Sequence, residues 1–145
     1  MYYNINMTYL LQFDGGSNPN PGKCASAYII YDQNRNKIAE GGEFIPKGTN
    51  NIGEYTGLYI GLLKAKQLHI KNIVVEGDSL LVISQISGKW KVKNETLRVI
   101  YDKIIDLISF FDTFECKHIR REYNKHADSL SDKTLDLEKS WELQC

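Results

Sequence analysis

At 145 residues, with 42% hydrophobic and 25% charged side chains, the chain has the size of one domain and an ordinary globular composition, neither disordered nor fibrous. Its 18 basic and 18 acidic side chains cancel, which argues against a strongly basic nucleic-acid binder overall but leaves local placement open. No apolar run approaches the ~18 residues of a membrane-spanning helix. The start, Tyr2-Tyr3-Asn4, is polar and unlike a secretion signal, and the initial Met1 leads us to expect a free-standing chain. Cys24, Cys116 and Cys145 are an odd number without metal-ligand spacing and read as reduced thiols in a cytoplasmic protein.

From Met7 to Phe13, apolar side chains alternate as on a strand. That strand delivers Asp14 into Gly15-Gly16-Ser17-Asn18-Pro19-Asn20-Pro21-Gly22. Asp-Gly alone signals a hairpin turn, but eight residues from Gly15 to Gly22 exceed what a tight turn needs. Cys24–Tyr31 is a continuous β-prone run, and Lys37–Phe44 reads as a third strand, so an antiparallel meander is expected. Gly41-Gly42 inside the third marks a bulge or an edge.

After a loop at Pro46–Asn51 the period changes. Leu58, Leu62 and Ala65 share one helix face, and Glu54 lies one step earlier on the same stripe. An acid there is either at a solvated helix end or aimed at something, because an unpaired buried charge is costly. Ile70–Glu76 reads as a strand, broken by Gly77-Asp78-Ser79 before a helix over Leu80–Ile86. Asp78 fits a helix N-cap, yet a strand, an acid and a helix start is also where open α/β sheets place ligands.

In the extended linker Gly88–Lys93, Lys89, Lys91 and Lys93 alternate with Trp90 and Val92. This is either a solvated charged edge over a packed Trp or a ribbon for phosphates. Asn94 caps the longest helix, whose stripe of Leu97, Ile100, Tyr101, Ile104, Ile105, Ile108 and Phe111 is core. Phe114–Arg121 reads as the fifth strand, a last helix carries Asp128 in its first turn, and residues 136–145 form a charged, frayed tail in which Trp141 can dock.

Asp14, Glu54, Asp78 and Asp128 thus come from four separate elements. Carboxylates brought together raise one another's pKa unless cations relieve them, and hard divalent ions with oxygen ligands do so. A pair of such ions about 3.5–4 Å apart can activate water against a phosphodiester. No Ser-His-Asp or Cys-His arrangement competes.

Five blocks in order carry a resemblance: Phe13–Gly22, Thr49–Tyr55, Glu76–Ser79, Gly88–Asn94 and Asn124–Leu130. Together they make the chain similar to type 1 ribonuclease H, from about residue 7 to 135 of a single domain spanning 1–145. The resemblance implies an α/β ribonuclease H-like fold, a five-stranded mixed sheet with three antiparallel and two parallel strands and helices on both faces. It implies catalysis and metal binding by Asp14, Glu54, Asp78 and Asp128, using two Mg²⁺ ions or Mn²⁺. The implied reaction cuts the RNA strand of an RNA–DNA hybrid to 5′-phosphate and 3′-hydroxyl ends, in a monomer without membrane contact.

Gly15, Gly16, Asn18, Asn20 and Asn51 fall where the family reads the minor groove and 2′-hydroxyls, and only the 2′-hydroxyl marks RNA against DNA. Trp90, Lys89 and Lys91 fall where it tracks the DNA strand, with salt-sensitive phosphate contacts. The chain departs from well-studied bacterial members in lacking a basic handle helix after Trp90. His126 stands only two residues before Asp128 and reads as a surface residue instead of a proton-transfer histidine; Arg121 or Lys125 are the candidate substitutes. The competing readings are a non-catalytic hybrid or double-stranded-RNA binding module, and another nuclease or integrase of the superfamily.

Overall fold

Hydrophobic alternation sets a central sheet, three of whose strands precede the first helix in the chain. The computed structural model describes residues 6–145; Met1 and the polar Tyr2-Tyr3-Asn4 start lie outside the described residues. Strands β1 (Thr8–Ser17), β2 (Gly22–Tyr31) and β3 (Lys37–Gly48) form the expected antiparallel meander. Helix α1 (Asn50–Gln67) crosses back, and β4 (Asn72–Gly77) joins β1 in parallel. Helices α2 (Leu80–Ile86) and α3 (Glu95–Ile108) precede β5 (Thr113–His118), which pairs β4 in parallel. A 3₁₀ turn (Arg121–Tyr123) then leads into α4 (Lys125–Leu137).

The sheet has six strands, not five. The tail expected to fray forms β6 (Trp141–Gln144), antiparallel to β3, giving the order β5-β4-β1-β2-β3-β6. Trp141 is what ties it down: its Nε1 donates to Thr134 Oγ1 at 2.9 Å, and Lys133 lies 4.3 Å over its ring. Gly41-Gly42 is consequently neither bulge nor edge, since it pairs Tyr28 and Ala27 on one side and Glu142 and Trp141 on the other.

Each face of the sheet is covered. Tyr9, Leu11, Phe13 and Tyr28 meet Tyr55, Leu58 and Leu62 of α1, all of them buried, and α3 closes this core with Leu97, Ile104 and Leu107. Each such side chain contributes about 1.5–3 kcal/mol by leaving water. Ile105, placed on the α3 stripe from spacing, is instead 39% exposed; the helical repeat carries Leu107 inward in its place. On the other face α4 packs Ala127 against Ile29 and Tyr31.

Three boundaries differ in ways that matter for chemistry. Strand β1 runs on through Gly15-Gly16-Ser17, paired with Ser26, Ala25 and Cys24, so the eight-residue loop shrinks to residues 18–21. Helix α1 begins inside the expected loop, with Thr49 Oγ1 accepting from Ile52 N at 3.2 Å, so Asn51 is helical. Ser79, not Asp78, caps α2 through Val82 N at 3.2 Å. That shift frees the Asp78 carboxylate.

Candidate active site

Strand β4 pairs with β1 only as far as Gln12–Glu76 and then turns away into α2. Two residues further along β1, Asp14 sits beside the gap so created, just past the carboxyl end of the parallel β1–β4 pairing, where open α/β sheets bind ligands. Asp78 leaves β4 on the other side of the same gap. Glu54 arrives from α1, and its approach depends on glycine. A Cβ on Gly53 would lie 2.5 Å from Gly16 N and 2.9 Å from Ala25 O, so only glycine lets α1 cross β1 backbone to backbone.

Carboxylate oxygens of Asp14, Glu54 and Asp78 all lie within 4.8 Å of one another. They line a cleft of about 440 Å³, whose wall also holds Asp128 and Asp132 of α4, Arg121, Asn18, Asn50 and Asn51. All four acids singled out from sequence therefore border one cavity. Glu54 is not at a solvated helix end: it is 9% exposed, and its Oε1 is buried with no hydrogen-bond partner.

The electrostatics follow from burial. Desolvation pushes the Asp14 pKa up to about 7; the Asp78 charge adds to this, while hydrogen bonding with Glu54 and the Gly15 amide works the other way. Glu54 is raised well above the usual carboxylate range by desolvation and then by the Asp14 charge. Asp132, one turn after Asp128, is raised by burial and by the Asp128 charge. At the rim Arg121 Nη2 stands 3.7 Å from Asp128 Oδ1.

The donor set fits a divalent cation. Its oxygens are hard, they converge, they are partly stripped of water, and one is unpartnered.

The residues expected to read substrate divide. Asn18, Asn51, Gly15 and Gly16 border the cleft. Asn20, exposed at the hairpin tip, is engaged locally instead, its Oδ1 accepting from Ser17 Oγ at 3.0 Å and from Asn50 N at 3.1 Å, so that it braces the hairpin on α1. Lys89, Trp90 and Lys91 lie on the linker outside the cleft, all exposed. Trp90 is 48% exposed while Val92 packs on the core, so the ribbon presents its aromatic ring to solvent. His126 lies outside the acid cleft, with its Nδ1 hydrogen-bonded to Tyr31 Oη at 2.8 Å, and Lys125 flanks Arg120 and Arg121 on the outer side.

Sequence reasoning missed Asn50, Asn124 and Asp132. Asn50 Oδ1 accepts from Ser17 N at 2.8 Å and forms cleft wall. Asp132 could have been found from its i+4 spacing to Asp128. No local signal pointed to the side-chain role of Asn124, whose partners are remote in sequence.

Comparison with known proteins places this geometry in context. The reverse transcriptase-like family model matches residues 12–134. Ribonuclease HI of Halobacterium salinarum (strain ATCC 700922 / JCM 11081 / NRC-1) is 35% identical over 124 residues, 86% of this chain and 62% of that protein. The chain spans less than two thirds of the length of the curated relatives it matches. The N-terminal RNase H domain of Rv2228c from Mycobacterium tuberculosis, solved as a maltose-binding-protein fusion, superposes with a TM-score of 0.89. It shows 33% identity over 92% of this chain and 96% of that one. LC11-RNase H1, solved in complex with an RNA/DNA hybrid, gives 0.84 at 29% identity, covering 89% and 97%.

Proposed function

Because the chain belongs to the type 1 ribonuclease H family, we propose that it is a metal-dependent endonuclease hydrolysing the RNA strand of RNA–DNA hybrids. One observation carries this reading: three carboxylates from three elements converge within 4.8 Å in a cleft that Asp128 completes. A pure binding module gains nothing from acids facing phosphates, and the buried Glu54 Oε1, which lacks a hydrogen-bond partner, carries a cost to stability that a bound cation would relieve.

Asp14, Glu54, Asp78 and Asp128 would hold a pair of divalent cations, Mg²⁺ with Mn²⁺ as a substitute. Bound there, such ions supply Lewis acidity, lowering the pKa of water and stabilising charge on the leaving oxygen. The chain's own residues do the rest. Asp14 and Glu54 keep the floor of the cleft anionic once cations are present, and the α1–β1 crossing holds them rigid. Asn18, Asn51 and the Gly15-Gly16 backbone face the strand lying in the cleft, where donors and acceptors can meet 2′-hydroxyls. Arg121 offers a guanidinium to a phosphate at the rim. Lys89, Trp90 and Lys91 provide an exposed cation–aromatic track for the paired DNA strand. In the reaction water adds to phosphorus, the bond to the 3′-oxygen breaks, and the products end in 5′-phosphate and 3′-hydroxyl.

The test is cleavage of a labelled RNA–DNA hybrid beside RNA–RNA, DNA–DNA and single-stranded RNA, with Mg²⁺, with Mn²⁺ and with chelator. Metal-dependent cutting confined to the hybrid's RNA strand is the expected result. Cutting of DNA would keep the metal site and refute the assignment of the Gly and Asn residues. Hybrid binding without any cutting would refute the enzyme reading.

A further inference from the structure

Asn124 occupies the N-cap position of α4, where an Asn side chain ordinarily accepts from the amides of the first turn. It makes no such bond. The side chain, completely buried, turns inward, and Nδ2 donates to Phe13 O at 2.8 Å and, at a long 3.4 Å, to Asp78 Oδ2. Both partners are acceptors, so the amide nitrogen must face them. The carboxamide Oδ1 is then left buried without a partner. A helix cap has been forgone and an acceptor orphaned, both unfavourable for stability.

What the arrangement gains is connection. Phe13 is the residue before Asp14. The Asn124 carbonyl accepts from Asp128 N at 3.1 Å, and its own amide donates to Arg121 O at 2.9 Å. One side chain and its backbone thus link β1, the turn after β4, the 3₁₀ turn and the first turn of α4. Those are the segments bearing Asp14, Asp78, Arg121 and Asp128. We infer that Asn124 is a positioning residue for the acid cluster: its carboxamide joins the Phe13 carbonyl to the Asp78 carboxylate and sets where α4 presents Asp128. The inference rests on the functional reading above and adds to it a residue that need touch neither substrate nor cation.

Asn124→Ala, Asn124→Ser and Asn124→Asp in the full chain test it. Serine keeps a polar group but cannot span both acceptors; aspartate keeps size and shape but replaces the donor with an acceptor. Three readouts are taken: urea unfolding without metal, Mn²⁺ binding without substrate by electron paramagnetic resonance, and kcat with KM on the hybrid. The expected result for folded variants is kcat lowered on the order of 10- to 100-fold, as for misplaced reacting groups. Mn²⁺ affinity falls severalfold, KM changes by less than about twofold, and Asp gives no rescue. A folded Ser or Asp variant with wild-type kcat and Mn²⁺ affinity would overturn the inference. So would failure of all three to fold, which would make Asn124 purely structural. Wild-type protein that binds Mn²⁺ yet cuts no hybrid would refute the functional reading alone, leaving the Mn²⁺ comparison to judge Asn124.

Discussion

Replacing Asp14 with Asn should stabilise the metal-free protein while abolishing cleavage. Asp14 is 7% exposed, and burial holds its pKa near 7 against 3.8 for the free side chain. A carboxyl whose folded pKa is raised binds its proton more tightly in the folded state. The stability it supports is complete below about pH 4 and is lost as pH rises toward 7. At about 1.4 kcal/mol per pKa unit, ionisation costs the folded state about 2 kcal/mol at pH 5 and about 4 kcal/mol at pH 8. Asparagine is almost the same size and neutral throughout. Urea unfolding in chelator at both pH values should therefore show Asp14→Asn more stable than wild type, with a gain about 2–3 kcal/mol larger at pH 8. Mg²⁺ should stabilise the wild type, by about 2.7 kcal/mol at a hundredfold excess over Kd, and the variant much less. A gain that is absent at pH 8, or equal at the two pH values, would refute the account of the cluster as an electrostatically strained cation site.

Three further outcomes are expected. Lys89→Ala and Lys91→Ala should each raise KM for the hybrid and flatten the salt dependence of binding by about one unit of slope, leaving kcat unchanged; an unaltered slope in binding titrations would remove the linker from the substrate track. Gln85, buried, accepts from Tyr55 Oη and donates from Nε2 to Lys91 O at 3.0 Å, so Gln85→Leu should cost about 1–3 kcal/mol in urea unfolding and raise KM by loosening that linker. Trp141→Ala should release β6 and lower stability by about 2 kcal/mol, read as a fall in Tm, with kcat retained because β6 lies at the far edge of the sheet from the cleft.

Much of the fold was legible because its signals are local. Alternation along Thr8–Phe13, the unbroken β-prone run Cys24–Tyr31, and the three-and-four spacing through Leu58 and Leu62 are all carried by residues adjacent in the chain. The strand β6 was not legible. Its four residues, Trp141-Glu142-Leu143-Gln144, alternate but are too few to stand out from a charged tail, and what holds them is the partner edge of β3 together with the Trp141 bond to Thr134. The Asp78 cap failed for a subtler reason. Asp78 and Ser79 are both good caps, and which one is used depends on where β4 must end to stay paired with β5.

The four acids were found in the sequence because each stands beside a break or a glycine, and because their spacing matches a known pattern. Tertiary structure decided what they became. Packing of α1 on β1 across Gly53 buried Glu54 against Asp14, and burial, not residue type, moved their proton affinities. That packing also turned Asn20 into a brace, and docking of the start of α4 beside β1 turned Asn124 into a link between segments far apart in the chain. Residue type determines which chemistry is available. Distance and solvent exclusion, which only the folded chain supplies, determine which of those groups share one charge and one cavity.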